Sequence, residues 1–258
     1  MLVPRILSAL ILAPLALAAV WAGGWAFALL AALCGALMAW EWCRLCLGHF
    51  GPAGVVLGLM AIAVALGGGS RPEAGLAVIA AAAVAAPLAQ RAAGRSMAWM
   101  AAGAFYLGLP ELALVWLRGQ GREPLFWVLL VVWATDIGAY VAGRAIGGPK
   151  LLPSVSPKKT WAGLFGGMVC AAAAGAGVAA YAGASGILLA GMSAALAVVA
   201  QAGDLAESSV KRYFGVKDSS GLIPGHGGVL DRLDGLLAAA PVVAVIYLAM
   251  HSGLEYWR

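Results

Sequence analysis

The sequence predicts an all-α, polytopic integral membrane protein with about nine transmembrane helices. Three observations carry this. Of 258 residues, 63% are hydrophobic and 10% charged, and the mean hydropathy is +0.94, whereas a soluble domain is nearer half apolar. Apolar runs of about 18 residues or more recur along most of the chain, long enough to cross the hydrocarbon layer as helices. The runs are rich in Ala, Gly, Leu and Val and lack the two-residue alternation of a barrel strand.

The spans are expected at about 6–22, 25–46, 53–69, 74–90, 97–117, 124–143, 161–182, 186–203 and 234–251. The first follows Arg5 and has the look of a secretory signal. No cleavage site stands out, and the run continues through Gly23-Gly24 into the second span, so it reads as a membrane anchor. The second carries Glu41 and Arg44, with His49 beyond its end. Its Cys43-x-x-Cys46 has no second pair to complete a metal site and reads as two small hydrophobes. The 36 glycines suit close helix packing in lipid. The fifth span holds Glu111 just after Pro110, where a broken helix would let water or a neighbour reach the acid.

The second half is more polar. Asp136 lies in an otherwise apolar sixth span and calls for a partner, a cation or a water-filled cavity. Arg144, Lys150 and Ser154-Val155-Ser156-Pro157-Lys158-Lys159-Thr160-Trp161 follow, leading into a helix expected to start near Thr160. Such a helix start with lysines beside it suits phosphate; a positive anchor for lipid headgroups is the alternative.

Gly203 to Gly235 is the densest polar stretch, with Asp204, Glu207, Lys211, Arg212, Lys217, Asp218, Asp231, Arg232 and Asp234. If the eighth helix continues past the membrane, Asp204, Glu207, Ser208 and Lys211 share one face. A Gly/Pro/Ser loop follows, and then Asp231 and Asp234 open the last helix. Carboxylates at two helix ends suit hard cations, and the basic groups suit phosphate. A solvated loop whose charges pair with one another is the other reading.

With nine spans, twelve of the sixteen basic residues fall on the side of the N-terminus, leaving Arg71, Arg118, Arg122 and Arg258 opposite. The positive-inside rule then places the N-terminus and the 203–235 stretch in the cytoplasm and the C-terminus outside. The net charge of +5 comes without a basic tail or nucleic-acid motif, so no nucleic-acid partner is expected.

Ser208-x-Val210-Lys211-Arg212, Lys217-Asp218 and Ile223-Pro224-Gly225-His226-Gly227-Gly228-Val229-Leu230-Asp231-Arg232-Leu233-Asp234 resemble the signature of the phosphatidate cytidylyltransferases (CDP-diacylglycerol synthases). Thr135-Asp136-x-x-Ala139-Tyr140 and Ser156-Pro157-Lys158-Lys159-Thr160-Trp161 resemble two further elements of that family. The likeness covers about residues 130–235, and the first half matches only in hydropathy. One departure is Ala162, where the family usually has Glu.

The resemblance implies transfer of the cytidylyl group of CTP to phosphatidic acid, with Mg²⁺ at two sites, one of which a monovalent cation can fill. It implies Asp204, Asp231 and Asp136 as metal carboxylates, and Asp204, Asp231, Asp234, Lys211 and Arg212 as the catalytic group. Arg144, Ser156, Lys158, Lys159, Lys217, His226 and Arg232 would hold substrate, with Asp218 a further carboxylate beside them; His226, set between glycines, suits bracing of its own loop equally. Residues 1–120 are expected to be a scaffold with a dimer contact, and 121–258 the catalytic region of a homodimer in the inner membrane.

Two other readings remain. Asp231-x-x-Asp234-Gly235 opens like a CDP-alcohol phosphotransferase element, but Ala239 stands where that element has Arg, and the later acids are missing. A transporter would also place acids in spans, yet no internal repeat supports one.

Overall fold

The computed structural model describes residues 3–91 and 94–250. Among them are nine helices: α1 (Val3–Ala22), α2 (Gly24–Leu47), α3 (Pro52–Gly67), α4 (Pro72–Ala89), α5 (Arg95–Gln120), α6 (Glu123–Ala145), α7 (Trp161–Ala182), α8 (Gly186–Tyr213) and α9 (Leu230–Ala249). All nine fall where spans were expected. Seven are long and apolar enough to cross a membrane; α3, at 16 residues, and the apolar part of α1, Leu10–Ala22, are shorter. The protein is thus an all-α, multi-pass membrane protein. The expected position of the C-terminus, with Arg258, concerns residues outside those described.

Local chemistry sets the helix ends. Pro52 and Pro72 open α3 and α4 at positions where a missing N–H costs nothing. Gly48 and Gly183 close α2 and α7 in the left-handed conformation. Thr160 caps α7, its Oγ1 accepting from the Gly163 N–H at 3.0 Å. Helix α5 runs unbroken through Pro110, so the expected break there does not occur. A proline inside a transmembrane helix is tolerated where neighbouring helices satisfy the freed carbonyl.

The stretch that leads into α7 is a hairpin. Strands β1 (Lys150–Leu152) and β2 (Ser156–Thr160) pair antiparallel, Lys150 opposite Thr160 and Leu152 opposite Ser156.

The chain divides into two compact units. The first holds residues up to Arg122 together with Tyr213–Leu233; the second holds Glu123–Arg212 and the rest of α9 from Asp234. In the first, Trp42 of α2 stacks with Trp99 and Tyr106 of α5, at 6.1 and 5.2 Å between ring centres. Its indole N–H donates to the Trp99 carbonyl at 3.0 Å. At one end of this unit the Arg118 guanidinium donates to the Val20 and Trp21 carbonyls at 2.6 and 3.2 Å, satisfying the end of α1. Glu111 is also buried in this unit, where a Cβ on Gly35 would lie 2.5 Å from its Oε1 and 2.7 Å from Ala61 Cβ.

In the second unit α6 and α7 meet backbone to backbone. A Cβ added to Gly166 would lie 2.2 Å from Ala142 Cβ and 2.9 Å from the Gly138 carbonyl; one added to Gly167 would lie 3.0 Å from the Thr135 carbonyl. Small residues bring the helices this close because dispersion, rather than a hydrophobic effect, holds helices together in lipid. Trp127 is fully buried, and its indole N–H donates to Ser193 Oγ at 2.9 Å.

Candidate functional site

The polar residues form one cluster in each unit. Helix α8, which belongs to the second unit up to Arg212, continues ten residues past the expected end of its span, to Tyr213. At about 1.5 Å per residue its 28 residues extend about 42 Å, well beyond a hydrocarbon layer of about 30 Å. The expected shared face forms on this extension. Ser208 Oγ donates to Asp204 Oδ1 at 3.3 Å, and Lys211 Nζ pairs with Glu207 Oε1 at 3.0 Å, with both Glu207 and Lys211 buried.

The hairpin lies against this face. Lys159 Nζ reaches Asp204 Oδ2 at 2.5 Å, and Arg212 Nε donates to the Val155 carbonyl at 3.4 Å. Because strand side chains alternate, Lys158 points the other way and is exposed. Ser156 is half-buried. Asp234 sits close enough to Asp204, Glu207 and Asp136 to feel their charge. Gly203 makes room for the first turns of α9: a Cβ on it would lie 2.9 Å from the Asp234 carbonyl and 2.4 Å from Ala238 Cβ. Arg144 is exposed, its Nη1 3.4 Å from Tyr140 Oη. Four acids and two lysines are therefore gathered on three helices and a strand.

The first unit holds the glycine-rich loop. After α8 ends at Tyr213 and Gly215 takes a positive φ of 73°, the chain turns back on itself at Pro224-Gly225-His226. The Ile223 N–H donates to the Gly227 carbonyl at 2.8 Å, and the His226 N–H to the Ile223 carbonyl at 2.9 Å. Positive φ at Gly225 and Gly227 makes the turn possible without a Cβ penalty. His226 Nδ1 is 2.5 Å from Ser8 Oγ of α1. Asp231 is buried, and its Oδ2 accepts from Ser219 N, Ser219 Oγ and Gly228 N, each at 2.8 Å. Lys217, Asp218 and Arg232 are exposed.

One residue of this cluster was not foreseen. Glu41 of α2 is completely buried, and its carboxylate accepts four hydrogen bonds from the loop. Ser220 Oγ donates to Oε1 at 2.6 Å and Val229 N at 2.9 Å; Leu230 N donates to Oε2 at 2.7 Å and Ser219 Oγ at 3.2 Å. The available signal was a lone glutamate in an apolar span; its partners are 178 to 189 residues away.

Among the described residues no three acidic, histidine or cysteine side chains stand together as a ready-made metal cluster. Mg²⁺ does not require one, since one or two carboxylates hold it and waters and substrate phosphates complete its octahedron. Asp204 and its acidic neighbours supply the hard oxygen donors this needs. In this structure the Lys159 ammonium stands on Asp204.

A model of the "Cytidylyltransferase family" matches residues 3–250. The match therefore reaches well beyond residues 130–235 and takes in the first half, which the sequence linked to the family only by hydropathy. A protein of Brucella suis named phosphatidate cytidylyltransferase is 43% identical over 95% of this chain and 91% of its own length. One of Brucella melitensis with the same name is 42% identical over the same shares. A Staphylococcus haemolyticus protein, also so named, is 37% identical over 56% of each chain.

Proposed function

The chain belongs to the cytidylyltransferase family, and from that premise we propose how its polar residues serve the reaction. The protein transfers the cytidylyl group of CTP to phosphatidic acid, giving CDP-diacylglycerol and pyrophosphate. A phosphatidate oxygen bonds to the α-phosphorus of CTP as the bond to the β,γ-diphosphate breaks. The attacking phosphate is already an anion, so no strong base is required. The barrier lies in bringing two anions together and receiving charge on the leaving group.

The observation that carries the residue assignment is the row of acids with ammonium groups set on it: Lys159 on Asp204 and Lys211 on Glu207. Lys159, Lys211 and Arg212 neutralise phosphate charge in the second unit, with Ser156, Lys158 and Arg144 nearer its surface. Lys217, Arg232 and His226 do so from the loop of the first. Asp204 and Asp231 are the carboxylates assigned to Mg²⁺, with Asp234 and Asp136 supporting Asp204. When bound, the metal offsets phosphate charge and polarises the phosphoryl group. The hydrogen bonds to Asp231 Oδ2 fix that carboxylate before any substrate arrives, which lowers the reorganisation needed at the moment of reaction.

We further place the polar residues on the cytoplasmic side of the inner membrane, in a homodimer. The orientation is supported by the charge asymmetry of the loops, and the location suits a substrate pair of cytosolic nucleotide and membrane lipid. The deciding experiment is Mg²⁺-dependent synthesis of CDP-diacylglycerol from CTP and phosphatidic acid by purified protein in detergent. Asp204→Asn should lower turnover by about 10²-fold or more while the variant still inserts and purifies as a single species. Turnover in that variant close to the unsubstituted enzyme would overturn the assignment of Asp204.

A further inference from the structure

We propose that Glu41 is a positioning residue for cytidylyl transfer: from α2 its carboxylate fixes the loop between Ser219 and Leu230, which carries His226 and leads into Asp231. The inference rests on the function proposed above. Both carboxylate oxygens are committed to this one loop, each accepting from one backbone N–H and one serine hydroxyl. The two N–H groups belong to Val229 and Leu230, at the start of α9, where helix donors are unsatisfied and the dipole is positive. Glu41 thus caps α9 from 189 residues away.

The same contacts reach Asp231. Ser219 Oγ lies 3.2 Å from Glu41 Oε2 and 2.8 Å from Asp231 Oδ2, so its one proton is shared between the two carboxylates, with Asp231 the nearer acceptor. Gly228 is shaped by this arrangement. A Cβ there would fall 2.3 Å from Glu41 Oε1 and 2.1 Å from Ser219 Oγ. The glycine of the signature leaves the space that the carboxylate and its serine occupy.

Glutamine at position 41 keeps the shape and loses the function. Each oxygen faces a backbone N–H, so whichever way the amide is turned its NH₂ opposes a donor. One of Val229 and Leu230 is left without its acceptor, and the loop is released at the start of α9.

A purely structural role lowers the fraction of folded enzyme, which scales kcat and leaves KM alone. A positioning role changes KM. Glu41→Gln, purified in detergent, should show a KM for CTP about tenfold higher, equivalent to about 1.4 kcal/mol. Trypsin should also cut it faster after Lys217, measured against cleavage after Lys150; both lysines are exposed. A CTP KM within about twofold of the unsubstituted enzyme, or cleavage after Lys217 at the unsubstituted rate, overturns the proposal. Should Glu41→Gln fail to accumulate, Ser220→Ala removes one of the four donors and should raise the KM about threefold, and no change in it overturns the proposal equally. Failure of the unsubstituted protein to make CDP-diacylglycerol would instead sink the functional reading, and the cleavage ratio would still decide whether Glu41 holds the loop.

Discussion

Replacing Lys211 by Met tests the buried pair at the centre of the α8 extension. Lys211 and Glu207 meet at 3.0 Å with side chains 9% and 1% exposed, one helical turn apart. A surface pair of this spacing is worth about 0.3–0.5 kcal/mol. A buried one behaves differently, because removing one partner strands the other's charge in a poorly solvating interior, at about 3–5 kcal/mol. For a chain of this size about 1 kcal/mol moves the thermal midpoint by about 2–4 °C. Lys211→Met should therefore lower the midpoint by roughly 6–20 °C. Adding Glu207→Gln neutralises the stranded acid, and the double variant should return to within a few degrees of the unsubstituted protein. Activity should not follow stability. If Lys211 also neutralises substrate phosphate, both variants lose about 10²-fold in kcat/KM, measured as CDP-diacylglycerol formed per folded enzyme. Two results would refute the reasoning. An unshifted midpoint in Lys211→Met would mean the pair is not buried in the working protein. Turnover restored in the double variant would mean Lys211 serves only to balance Glu207.

Gly166→Ala puts a methyl 2.2 Å from Ala142 Cβ, an overpacking that typically costs about 1–3 kcal/mol. Its midpoint in detergent should fall, and adding Ala142→Gly should recover part of the loss; an unchanged midpoint in the single variant would contradict the close approach. Lys158→Ala, on the exposed face of β2, should raise the KM for CTP or phosphatidic acid while leaving the Mg²⁺ concentration for half-maximal rate as it was. Unchanged KM for both substrates would remove Lys158 from the substrate-binding group.

The helices were legible because each is written in one continuous apolar run. The span expected at about 161–182 with a start near Thr160 is observed as Trp161–Ala182, capped by Thr160 and closed by Gly183. The Asp204–Lys211 face was legible too, since a repeat of three and four residues needs only local information. The hairpin was not. Lys150–Leu152 is three residues long and Ser156–Thr160 is polar and contains Pro157, so only their pairing with each other distinguishes them from loop. Glu41 was missed for a related reason. Its four partners lie in the signature loop, and no spacing rule spans the whole length of a chain. The signature named the loop; the residue that holds it lies in the first half of the chain, which matched the family only in hydropathy. Likewise Tyr213–Leu233 groups with helices from the opposite end of the sequence, a division that hydropathy does not encode.

Where Gly138, Gly163, Gly166 and Gly167 let α6 and α7 touch along their backbones, no flexible side chain separates the two helices. Such a seam has no slack to slide or tilt, so the pair behaves as a single stiff rail. Because β2 runs directly into α7 through the Thr160 cap, the strand bearing Lys158 and Lys159 is bolted to that rail at one end. The position of Lys158 and Lys159 is therefore set by the α6–α7 seam as much as by the hairpin itself.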